Sequence, residues 1–126
     1  MKEIGTQINY WKEGAEDDFL TATLLIKNNR ILHGLFFCHL TIEKILKAHI
    51  AKHSKDIPPK IHNLVRLLER TNLSLEEKDL ELLEVLMIYL LEGRYPEQYP
   101  SVPSIDKANE ILTETHKLLI CLKQKL

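Results

Sequence analysis

The sequence predicts an all-α fold, an up-and-down antiparallel four-helix bundle with one additional short helix. Three observations carry this. Apolar residues recur at spacings of three and four along four long stretches, the period of a helix with one buried face. The chain of 126 residues has only four glycines and 6% aromatics, with abundant Leu, Ile, Lys and Glu, which favours helix over sheet. The five prolines fall between the periodic stretches rather than inside them. A single domain spanning residues 1–126 is long enough to build its core without disulfides or metal.

The first helix is predicted over residues 6–28, with Ile8, Trp11, Ala15, Phe19, Ala22 and Ile26 on one face. Asn28-Asn29 ends it. The second, over 31–52, is apolar around more than half its circumference, the mark of a central helix. Pro58-Pro59 forces a loop, and Pro59 can occupy the first turn of a short helix over 61–70, where its missing N–H does no harm. Ser74, with Glu77 three residues on, has the form of a capping box for the next helix, and Gly93 stops it. A three-proline loop follows, and Ser104 caps the last helix, whose core face starts at Ile105 and Ala108.

Several function classes are disfavoured. A formal net charge of −1 provides no global field for nucleic acid. No glycine-rich phosphate loop is present, and no serine or cysteine sits in a nucleophile context. Cys38 and Cys121 read as buried free thiols. His49 and His53 have an i, i+4 spacing but no third ligand, so neither a metal nor a cofactor is expected. A polar start and the lack of a membrane-length apolar run make a cytoplasmic protein the expectation.

The strongest local signal lies in the second helix. His39, Glu43 and Lys47 stand at i, i+4 and i+8, in one row inside or along the edge of the arc marked by Leu35, Ile42 and Leu46. A carboxylate on a face meant for burial is costly unless it is paired. Arg94, the cation in the proline-stiffened loop, is the expected partner of Glu43, through a forked charge-assisted bond. Lys44 and Lys47 belong to a basic segment, residues 42–70, which is followed by an acidic one, residues 74–97. Two complementary solvated helix faces and a basic groove for an anion are both consistent with that pattern. His62 reads as a capping or packing residue, or as a group near the lysines.

In that order along the chain, the segment His39 to Ala48, the Ile61-His62-Asn63-Leu64 element and Arg94-Tyr95-Pro96 resemble a HEPN domain (higher eukaryotes and prokaryotes nucleotide-binding). Trp11, Ala15 and Asp18 in the first helix also fit. The resemblance implies a four-helix bundle with a short extra helix, a homodimer, and a small nucleotidyltransferase as partner, in a two-component, toxin–antitoxin-like setting. Many members are metal-independent RNases that carry a histidine a few residues after an arginine. Here Arg94 is followed by Tyr-Pro-Glu-Gln-Tyr-Pro-Ser-Val, and the next histidine is His116.

The expectation is therefore a non-catalytic nucleotide-binding or partner-docking subunit. Glu43, Lys44, Lys47, His62, Arg94 and Tyr95 are its expected ligand-binding residues, and RNA is not an expected ligand. The alternatives are an RNase toxin that uses His62, and a structural bundle whose buried ion pair only sets helix register.

Overall fold

A computed structural model describes residues 3–126. Among the described residues the chain forms α1 (Ile4–Lys27), α2 (Ile31–Ser54), α3 (Leu64–Glu69), α4 (Glu77–Ile88) and α5 (Ile105–Gln124), with a 3-10 turn at Pro96–Gln98 and no strand. This is the predicted helical bundle. None of these helices is long and apolar enough to cross a membrane.

α1 stops where the Asn pair stands: Asn29 takes φ 63, a left-handed conformation that asparagine tolerates better than most residues. The short connection turns the chain directly into α2, which packs on α1, α3, α4 and α5. Residues from Ile31 to Ala51 of α2 are buried on several faces, including Leu35, Ile42, Ile45 and Leu46 with no exposure. The chain's own helices thus cover most of the broad apolar arc of α2, while Leu32, Phe36, Phe37 and Leu40 stay partly exposed.

The start of α3 and both ends of α4 differ from the sequence expectation. α3 starts at Leu64 because Asn63 caps it, its side chain accepting the Arg66 N–H at 3.1 Å. Pro59 therefore lies in the connection and not in the first helical turn. The Ser74–Glu77 capping box does not form; α4 starts at Glu77 after Glu76, without a side-chain cap. Leu73 and Leu75 pack against the core, which holds that stretch in the connection. α4 ends at Ile88, short of Gly93, and the chain leaves the helix with Tyr89 and Leu91 buried. Gly93 takes φ 81 in the turn that follows. Ser104 caps α5 as expected, accepting the Lys107 N–H at 3.1 Å.

α1 and α2 approach tightly at Gly34, where a Cβ would lie 2.4 Å from Ile26 Cγ1 and 3.2 Å from the Ile26 backbone nitrogen. Overpacking at Gly34→Ala is expected to cost about 1–3 kcal/mol, offset in part by alanine's better helix propensity of roughly 1 kcal/mol, for a net destabilisation. Gly5→Ala, with nothing within 4 Å of the new methyl, should be neutral or stabilising. Urea unfolding of both variants checks this, and a stabilised Gly34→Ala would contradict the tight crossing.

Candidate ligand site

Glu43 is 3% exposed, as its place on the helical wheel requires. Its partners come from two elements. Lys47, one turn further along α2, donates from Nζ to Glu43 Oε2 at 3.1 Å. From the connection before α3, His62 sets Nδ1 3.0 Å from Glu43 Oε1. The Lys47 ammonium also lies 5.2 Å from the centroid of the Trp11 ring, a cation–π contact that helps offset its own burial. Behind this group His39, fully buried, donates from Nε2 to the His62 carbonyl at 3.0 Å and so holds the connection against α2. His39 Nδ1 is 3.7 Å from Glu43 Oε1, too far for a hydrogen bond.

The expected Glu43–Arg94 pair is not formed. Arg94 follows Gly93 in the exposed loop, and its Nη1 donates instead to the Ile88 carbonyl at the end of α4, at 3.2 Å. Lys47 reaches Glu43 along the same helix, and His62 reaches it across one connection. Lys44 points the other way: its Nζ is 2.7 Å from Asp18 Oδ2 of α1, and its chain lies over Gly14. Tyr95 is 70% exposed, its backbone N–H bonded to the Gln98 side chain. Glu43, Lys47 and His62 thus form one cluster, while Lys44, Arg94 and Tyr95 stand apart from it.

What links the cluster to Arg94 is a residue that sequence reasoning does not single out. His62 Nε2 is 3.0 Å from Oε2 of Glu92, which lies two positions before Arg94. Glu92 and Arg94 both line a cleft of about 470 Å³ bounded by His33, Phe36, Leu40 and Tyr99. The rings of His33 and Tyr99 meet edge to face, centroids 6.2 Å apart. The cleft therefore offers aromatic faces, a guanidinium and a carboxylate, within the size range of small-molecule sites. Its aromatic members come from α2 and the proline loop, which share no sequence signal. A second cavity, about 340 Å³ with His49, Lys52, His53 and Lys125 on its walls, sits at the opposite end of α2. There Lys52 bonds the carbonyls of Lys125 and Leu126, as cations at helix C-termini commonly do.

Two consequences are measurable. Truncating one partner of a buried pair typically costs about 3–5 kcal/mol, because the other charge is left uncompensated. Glu43→Ala, which strands Lys47 at 5% exposure, should lower the melting temperature clearly, and Glu13→Ala on the exposed face of α1 should not. Equal shifts would contradict the pairing.

The second concerns acid. Burial lowers the His39 pKa from 6.5 to about 4, against a smaller opposing pull from Glu43. Burial likewise lowers that of His49, whose Nε2 donates to the Leu122 carbonyl at 2.8 Å. Between pH 6.5 and about 4 the unfolded chain takes up a proton that the folded chain refuses at His39. Its contribution is full above pH 6.5 and is lost progressively as pH falls toward 4, a loss on the order of 3 kcal/mol. Denaturant melts near neutral pH and near the lower limit should show a smaller acid loss for His39→Gln than for the parent chain. An unchanged loss would place the acid sensitivity elsewhere.

Comparisons with known proteins agree with this architecture. The chain resembles the crystal structure of TT1696 from Thermus thermophilus at a TM-score of 0.79 and 23% identity, over 95% of this chain and 98% of that one, a likeness of fold. A search of curated proteins gave no match. The family model for the HEPN domain matches residues 8–125, almost the whole length, and the chain belongs to that family.

Proposed function

We propose that this chain is a non-catalytic HEPN subunit that binds a mononucleotide or docks a partner, acting as a homodimer beside a small nucleotidyltransferase in a two-component, toxin–antitoxin-like system. The observation that carries the binding half is the cleft at Arg94. Its guanidinium has five N–H donors, and the Ile88 carbonyl engages one nitrogen, so donors remain for phosphate oxygens. Phe36 and Tyr99 supply faces for a base. His62, with its side chain 40% exposed, stands at the edge of this region. Glu43 and Lys47 act as its buried floor, and Lys44, engaged by Asp18, contributes only field. The dimer is supported by Leu20 and Leu24, 63% and 60% exposed one turn apart on α1. The nucleotidyltransferase partner rests on family membership alone.

The non-catalytic reading is supported by the loop. After Arg94, the stretch in which the resemblance places the nuclease histidine holds Gln98, Tyr99, Pro100 and Ser101, none of which exchanges protons near neutral pH. One observation favours the alternative. The contact of Glu43 with His62 Nδ1 is that of a carboxylate orienting an imidazole, the arrangement that prepares a general base.

Calorimetry with AMP and ATP should show weak binding that declines with salt and with Arg94→Ala. No heat at millimolar ligand would leave only the docking role. Light scattering should report about twice 14.7 kDa. Labelled single-stranded RNA should stay intact; cleavage that vanishes in His62→Ala would establish the nuclease instead.

A further inference from the structure

Glu92 is exposed, and its carboxylate lies against His62. Its Oε2 lies 3.0 Å from His62 Nε2, and His62 is itself fixed by the buried Glu43 at 3.0 Å and through its carbonyl by His39. Three side chains in series thus run from the core of α2 to the mouth of the cleft. Exposed ion pairs contribute little to stability, because solvent competes and two side chains lose freedom. What the series does deliver is a carboxylate set beside a fixed imidazole, on the wall shared with Phe36, Tyr99 and Arg94.

A carboxylate only accepts hydrogen bonds, so the ligand group that meets it must donate. Two parallel donors suit its two oxygens best, as in the forked pairs it makes with guanidinium. Among nucleobases, guanine presents two adjacent donors on one edge, the ring N1–H and the exocyclic amino group. Adenine and cytosine set one amino group beside a ring nitrogen acceptor, and uracil sets its single N–H between two carbonyls. Their lone pairs would face the carboxylate and repel it.

We infer that the cleft selects a guanine base, with Glu92 as the residue that determines specificity and His62 as the residue that positions it. This rests on the mononucleotide reading given above and sharpens it. The base lies between the aromatic side chains with its donor edge on Glu92, and the phosphate end reaches Arg94.

Calorimetry on the intact protein with GMP, IMP and AMP tests this. GMP should bind at least about tenfold more tightly than AMP, a typical discrimination for one bidentate pair. IMP, which keeps N1–H but lacks the amino group, should fall between them. Glu92→Gln should bring GMP close to AMP while residual binding persists and the melting temperature stays within a degree or two of the parent, as suits an exposed side chain. His62→Gln should erode the preference less completely. Equal binding of GMP and AMP, or a preference that survives Glu92→Gln, overturns the inference and leaves mononucleotide binding standing. Absence of binding by all three nucleotides overturns both.

Discussion

Desolvating the Glu43 carboxylate at the centre of α2 is a cost that the neighbouring structure has to meet, and much of the molecule is arranged around meeting it. Lys47 supplies a cation from the same helix at 3.1 Å, and its ammonium is sheltered in turn by Trp11 of α1. His62 supplies the second contact, which requires the connection between α2 and α3 to lie across this point. His39 fixes the same connection from beneath through the His62 carbonyl. A hydrophobic residue at position 43 could satisfy the core as well as the ion pair does. It would not hold the connection at this register, nor present an imidazole toward the end of α4.

From that anchoring the cleft follows. His62 reaches outward to Glu92, so the polar chemistry of the core is carried to the surface through a single imidazole. Its Nδ1 bonds Glu43, and its Nε2 stands 3.0 Å from Glu92. The far wall is built independently by the three-proline loop, whose restricted backbone sets Tyr99 against His33. Two stiff elements therefore converge on an opening that neither could form alone. By contrast, Cys38 is silent: burial pushes its thiol up to about 12, which removes it as a nucleophile.

Much of this is legible in the chain alone. Helical period, the Asn-Asn stop, the Ser104 cap and the burial of Glu43 are short-range properties, set by neighbours within about one turn, and they hold in the structure. The capping box at Ser74 fails although its signal is also local, because Leu73 and Leu75 answer to a distant core. The partner of Glu43 departs from expectation for a related reason. Proline stiffness indicates that Arg94 is held, but it carries no information about where.

The sequence by itself determined the all-helical bundle, the central role of the second helix and the need for a buried countercharge, because periodicity and desolvation act residue by residue. Tertiary structure alone decided that His62 joins Lys47 in meeting that need, that Lys44 turns to Asp18, and that Glu92 joins Arg94 at one cleft. Those choices depend on helix crossings and loop paths, and these are set by how the entire core packs.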